Sequence, residues 1–227
     1  MKLVIIGCIL SILMLTACVP VQESPPEPLP SEITEKPIIV EQLKLDPAIA
    51  ELVEKSKTAD NYRYFYKKTT SIASSGYLVF YYKGKIKKEY STPVRVSKML
   101  SYDTVYLDPI EKTAFAVCES LSVACEGLRL KIYPIAYSTE DLPYLPHLLS
   151  QGIPADAVIR GDELIEQRKT MIVAYGTTTI NLDKFSGLTM KYVVEGSGEE
   201  HSFTQLGLNS VKTEDVEVPK GYAVGEK

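Results

Sequence analysis

From Asn61 onward the apolar side chains recur at every second residue, and this alternation limits the chain to β-structure over most of its length. Tyr62, Tyr64 and Tyr66 share one face of an extended segment, with Arg63, Phe65 and Lys67 on the other. Gly76 opens Tyr77–Tyr82, which is apolar on both faces, and Lys83-Gly84-Lys85 reads as a turn into Ile86–Ser91. The lysines here read as a solvated face or an edge guard. Thr104–Leu107 and Thr113–Cys118 flank Asp108–Lys112 as a hairpin, and Leu128–Tyr133 reads as a returning strand. Ala157–Tyr175 holds one long or two short strands around Arg160-Gly161-Asp162. Thr177–Asp183, the turn Lys184–Gly187, a strand with Leu188, Met190, Tyr192 and Val194 on one face, the turn Gly196–Gly198 and His201–Asn209 follow. Short turns between consecutive strands predict neighbours pairing as an antiparallel meander. Val216–Tyr222 reads as a short edge segment.

Two stretches break the period. Asp46 stands at an N-cap position before Pro47, and Ile49, Leu52 and Val53 fall at i, i+3 and i+4, which predicts a helix over Pro47–Lys57. Thr139–Gln151 predicts a helix in its second half, capped by Ser138 or Thr139 and ended by Gly152, with Pro143 and Pro146 making its start irregular. Both should pack on the sheet.

Ahead of this domain, one positive charge at Lys2 precedes an uncharged run, Leu3–Leu15. About 13 residues suit a signal peptide and are short of the roughly 20 that a spanning helix needs. Leu15-Thr16-Ala17-Cys18 resembles the lipobox of prokaryotic lipoproteins. The resemblance implies that residues 1–17 are a lipoprotein signal peptide and that Cys18 becomes the first residue of the mature chain. Cys18 would then carry palmitate-like acyl chains that hold the protein at a membrane, facing the periplasm or the cell exterior. Two or more chains give stable anchoring where one does not. Residues 18–45 alternate prolines with Glu23, Glu27, Glu32 and Glu35, a composition that stays extended and serves as a tether. Residues 46–227 remain for a single α+β domain.

With 25 basic and 29 acidic residues the chain is mildly acidic, which argues against a nucleic-acid partner. The domain is expected to be a monomer. Of four cysteines, Cys8 leaves with the signal peptide and Cys18 takes lipid. Cys118 and Cys125 are then predicted to form one disulfide in an oxidising compartment. His147 and His201 are far apart in sequence and neither has a metal-ligand neighbour at i+2 to i+4, so neither metal nor cofactor is expected. No Gly-x-Ser-x-Gly elbow is present, and Asp162-Glu163 and Glu199-Glu200 read as solvated turns rather than a catalytic pair. The chain is not expected to be an enzyme. Its 15 Tyr, beside 5 Phe and no Trp, suit half-buried strands or a cavity wall.

The C-terminal third carries a second resemblance. Asp183-Lys184-Phe185-Ser186-Gly187-Leu188 is similar to the Asp-x-x-(Ser/Thr)-Gly-Leu turn of the LolA/LolB-type lipoprotein carriers. Asn209–Asp215 followed by Pro219-Lys220-Gly221-Tyr222 is similar to that family's ending. The resemblance implies a LolA-like fold: a curved, unclosed antiparallel sheet, or half-barrel, with a few helices on its concave side and an apolar cavity there. It implies a non-enzymatic envelope lipoprotein that binds a lipid or an acylated peptide. The soluble carriers lack an anchor, so a tethered chain fits a fixed receptor or a binding protein acting near its own membrane. Tyr62, Tyr64, Tyr66, Tyr77, Val79 and Tyr81 are the candidate cavity residues. The alternative is an envelope interaction or sensor module whose concave face is simply a filled core.

Overall fold

The computed structural model describes residues 44–97, 100–140 and 144–225. Residues 42–227 form one compact unit. The predicted signal peptide, Cys18 and all but the last two residues of the predicted tether lie outside the described residues. Among the described residues no helix is long and apolar enough to cross a membrane.

Helix α1, Pro47–Lys57, begins where predicted: the Asp46 carboxylate accepts a hydrogen bond from the Ala48 amide at 2.8 Å, and Pro47 fills the first turn. The strands are β1 (Asn61–Thr69), β2 (Ser74–Tyr82), β3 (Lys85–Arg95), β4 (Ser101–Asp108), β5 (Thr113–Val117) and β6 (Lys131–Ile135), then β7 (Val158–Ile165), β8 (Arg168–Tyr175), β9 (Thr178–Asp183), β10 (Thr189–Val194), β11 (Glu199–Leu208) and β12 (Ala223–Val224). Helix α2 spans Pro146–Gln151 and α3 spans Thr213–Val216.

They form one twelve-stranded sheet in the order β12-β6-β5-β4-β3-β2-β1-β11-β10-β9-β8-β7. Every pairing is antiparallel except β12 with β6. Among the described residues the two outer strands do not pair, so the sheet stays open. This is an α+β fold built mainly of antiparallel sheet with few helices.

The simple meander is corrected in one respect. β1 to β6 form one meander and β7 to β11 another, and they join through β1 and β11, where Tyr66 faces Phe203 and Lys68 faces His201. The connection 136–157 carries the chain, with α2, to the far edge, where β7 starts the second meander. Three local expectations also change. Arg160-Gly161-Asp162 is an irregularity inside β7, while Glu166 and Gln167, both at positive φ, turn the chain into β8. The helix in the second half of Thr139–Gln151 forms as α2 and ends at Gly152, but its cap changes: Leu145 precedes it, and Tyr137–Thr139 is a separate 3₁₀ turn. The C-terminal edge strand is β12 at 223–224, beyond the predicted segment.

Both longer helices cover the same face. On α1, Ile49, Leu52 and Val53 pack on Val173, Ile180 and Leu182 of β8 and β9. A second cluster, holding Tyr62, Tyr64, Val79, Ile86, Val105 and Phe203, fills that face over β1 to β5 and β11. The turn between β9 and β10 locks α1 in place. Asp183 accepts from the Ser186 amide at 3.0 Å, the Ser186 hydroxyl at 2.6 Å and Arg168 at 3.0 Å. Gly187, at φ +72°, sits so close to the Leu52 carbonyl that a Cβ would collide with it. The Asp-x-x-Ser-Gly-Leu pattern is thus a helix-docking turn.

Cysteines 118 and 125 are joined as a disulfide in the connection between β5 and β6. The Asp103 carboxylate braces the same loop, accepting from the amides of Glu119 at 2.9 Å and Ser120 at 2.8 Å.

Candidate ligand cavity

The candidate site grows out of β1. Its alternation turns Tyr62, Tyr64 and Tyr66 toward the helix-covered face, and each hydroxyl has a partner. The Tyr62 hydroxyl lies 2.5 Å from Nδ1 of His147 on α2. Tyr64 donates to the Tyr144 carbonyl at 2.6 Å. The Tyr66 hydroxyl lies 2.8 Å from Nδ1 of His201 on β11. The strand therefore anchors the 144–151 segment at two points and its own neighbour at a third.

Burial raises the pKa of Tyr62 and of Tyr64 well above the ordinary phenol value, so both hydroxyls stay protonated and donate. Burial lowers His147 to about 4. Its ring is neutral near pH 7, accepting from Tyr62 at Nδ1 and carrying its own proton on Nε2. His201 is also lowered, first by burial and then by Lys68. Its Nε2 lies 3.7 Å from Glu199, so both ring nitrogens have protein partners.

Packing is complete at one end of this row and stops at the other. Tyr62, Tyr64 and Val79 are fully buried core residues. Tyr81 stacks on Tyr62 with ring centres 4.9 Å apart and touches His147. Beyond Tyr66 a cavity of about 480 Å³ opens. Rings from Tyr66, Tyr77, Tyr90, Tyr144 and His201 wall it. Lys68, Lys88, Ser75 and Gly76 supply the rest of the lining. Gly76 is needed there because a Cβ would press within 2.6 Å of the Tyr66 carbonyl. Of the six residues proposed from sequence, Tyr66 and Tyr77 line this space, Tyr62, Tyr64 and Val79 lie in the packed core beside it, and Tyr81 belongs to the stack over Tyr62.

The sequence reading missed Lys88. The β3 lysines were expected to face solvent or guard an edge, but β3 is an interior strand between β2 and β4. Lys87 points away from the cavity face, over the Phe80 ring at 4.5 Å and against Glu89 at 2.6 Å. Lys88 has the parity of Ile86 and Tyr90 and lies opposite Val79, so it enters the cavity face and is only 1% exposed. Its ammonium meets Glu140 at 3.1 Å and sits over the rings of Tyr77 at 4.9 Å and Tyr90 at 5.3 Å. The other Glu140 oxygen accepts from the Tyr102 hydroxyl at 3.0 Å. The signal was the two-residue period itself, overruled by the residue's charge.

A larger hollow of about 670 Å³ lies beside Arg95, Ser101, Glu126 and Leu128. Its wall includes Val123, which is 85% exposed, and it carries no aromatic ring, whereas five rings wall the tyrosine cavity. Among the described residues, Asp103, Cys118 and Cys125 are the one group of potential metal ligands at binding distance. The disulfide engages both sulfurs, and Asp103 already accepts two backbone amides, so this cluster reads as a structural brace.

No family model matches the sequence, and no curated protein matches it. Among solved structures the chain is similar to LprF from Mycobacterium bovis, at 10% identity over 78% of this chain and 99% of that one, with TM-score 0.47. It is similar to the MucA/MucB complex from Pseudomonas aeruginosa, at 14% identity over 78% of this chain and 62% of that one, with TM-score 0.41. A putative outer membrane lipoprotein-sorting protein domain from Vibrio parahaemolyticus is similar at 11% identity over 73% of this chain and 94% of that one, with TM-score 0.23. At these values the functional reading rests on the cavity itself.

Proposed function

We propose that this chain is a lipid-anchored cell-envelope protein that holds a ligand and performs no chemistry on it. Cys18 fixes it to the membrane through acyl chains, residues 18–45 carry the domain outward, and the tyrosine cavity takes the ligand. The observation that carries this reading is the abrupt end of core packing at Tyr66, where rings from four strands and the segment before α2 surround about 480 Å³. That volume is in the range of small-molecule sites, which combine apolar walls with a few placed polar groups. The ligand is a lipid or an acylated peptide whose apolar part lies on the rings and whose polar end reaches the amines.

The test uses the mature chain with Cys18→Ser, so that the protein's own lipid does not compete. The purified protein should carry extractable lipid detectable by mass spectrometry, or bind an apolar fluorescent dye that added lipid displaces. Clean material with no dye response would remove the proposal.

A second reading, an interaction module, draws support from the sheet edge. Among the described residues strand β7 pairs with β8 alone, and it exposes Val158, Ile159 and Leu164. A protein partner adding a strand there would satisfy the open edge. Photo-crosslinking from position 164 in whole cells separates the readings. A defined protein adduct, lost on Val158→Lys, supports the module.

A further inference from the structure

The pairing of Lys88 with Glu140 is costly for a purely structural role. Taking both charges out of water is rarely recovered by their mutual attraction, and apolar residues of similar size usually serve a core as well or better. Here the Lys88 side chain is 1% exposed and that of Glu140 5%. Around them the same face of the sheet carries Val79, Ile86 and Val105.

The geometry of the pair is that of an occupied receptor. One carboxylate oxygen of Glu140 rests on the Lys88 ammonium at 3.1 Å, and the other accepts from Tyr102 at 3.0 Å. Tyr77 and Tyr90 hold the ammonium from the side. Burial, and then the charge of Glu140, pushes the Tyr102 phenol up, so it remains a donor. An ammonium and a phenol, set to grip the two oxygens of one acid, make a built seat for an acidic group. Lys88 also lines the cavity, so the seat and the space for an apolar body adjoin.

We propose that the Lys88–Tyr102 seat binds the anionic head group of an amphiphilic ligand, a carboxylate or a phosphate monoester, and that Glu140 is a built-in stand-in which the head group displaces. This rests on the ligand-holding reading above and names the ligand's polar end. On binding, the incoming acid takes the contacts of Glu140, and the freed Glu140 carboxylate returns to water. Burial of the ligand's apolar body on the tyrosine rings drives the exchange. Lys68, the second amine of the lining, is the weaker candidate. Its ion pair with Glu199 is 36% and 40% exposed and so is screened by solvent.

Isothermal titration of the mature Cys18→Ser chain, below the micelle concentration of each probe, tests the idea. The probes are dodecanoate, dodecyl phosphate and the neutral glyceryl monoester of dodecanoic acid. Glu140→Gln keeps the size of the side chain and an acceptor for Lys88, but removes the competing charge. It should tighten binding of at least one of the two acids about tenfold and leave the neutral ester unchanged. The Lys88→Gln/Glu140→Gln variant leaves no unpaired buried charge, and it should bind acid and ester alike. Circular dichroism and thermal unfolding confirm that both variants are folded. If the ester binds wild type as tightly as the acids, or if Glu140→Gln gains nothing for either acid, the inference falls while the ligand-holding reading stands. If no probe binds any variant, both fall.

Discussion

The three inward tyrosines of β1 show how one residue type does three jobs along a single strand. Tyr62 and Tyr64 are packed core with satisfied hydroxyls, while Tyr66 is both core and cavity wall. The tie from Tyr62 to His147 makes stability depend on pH. Burial holds His147 at about 4 against an ordinary 6.5, so the unfolded chain takes up a proton that the folded chain refuses. Stability from this group is complete above about pH 6.5 and is lost as pH falls toward 4, by at most about 3 kcal/mol. His147→Phe should lower stability at pH 7 by about 1–3 kcal/mol through the orphaned Tyr62 hydroxyl. It should also flatten the slope of unfolding free energy against pH between 6.5 and 4, measured by urea titration. Glycines make a sharper contrast. Gly187→Ala forces both a left-handed backbone and a collision with the Leu52 carbonyl, and should cost upwards of about 3 kcal/mol. Gly198→Ala, also at positive φ but in open space, should cost only about 1 kcal/mol by the same measurement. The tyrosine row was legible in the sequence because alternation is local. Lys88 was not, because charge ordinarily outweighs parity in judging which way a side chain faces.

At the scale of elements, what was legible followed from neighbours in the chain. The cap at Asp46, the β4–β5 hairpin, the turn at Gly187 and the strands around Gly196–Gly198 all announce themselves within a few residues. The pairing of β1 with β11 does not. Tyr66 and Phe203 meet across more than half of the chain, and neither sequence carries a mark that selects the other. The hairpin at Glu166-Gln167 was missed for a different reason. Residues other than glycine, asparagine or aspartate adopt positive φ rarely, so the Gly161 nearby drew the turn to itself. The β5–β6 connection is a further case, where a long irregular loop is held by chemistry rather than by ladder hydrogen bonds. Closing the short ring from Cys118 to Cys125 contributes about 2.5 kcal/mol by the loop-entropy model. Cys118→Ala with Cys125→Ala should lower the denaturant midpoint accordingly without changing its slope. A reductant should weaken wild type and leave the double variant unmoved.

For the whole molecule, the join at β1 and β11 binds the two meanders, and with them the two core clusters, into one sheet. The tyrosine cavity sits on that seam: Tyr66 and Lys68 come from β1, His201 from β11, Tyr77 from β2 and Lys88 and Tyr90 from β3. A ligand there touches strands that fold from opposite ends of the domain, so occupancy should stabilise the whole sheet rather than one hairpin. The proposed anchor places this seam within reach of a membrane. As the proposed tether, the 28 positions from Cys18 to Leu45, proline-rich and acidic, would span several tens of Å at about 3 Å per residue if extended. In the proposed arrangement that reach would let an anchored protein meet amphiphiles at a bilayer surface without leaving it. The prediction at this scale concerns the thiol alone. Mass spectrometry of the native protein should find residues 1–17 removed and Cys18 acylated, and fractionation should place it with membranes. Cys18→Ser should retain residues 1–17 and carry no acyl chain. An unmodified, uncleaved amino terminus on the wild-type protein would detach the cavity from the membrane and leave its ligand to be sought in solution.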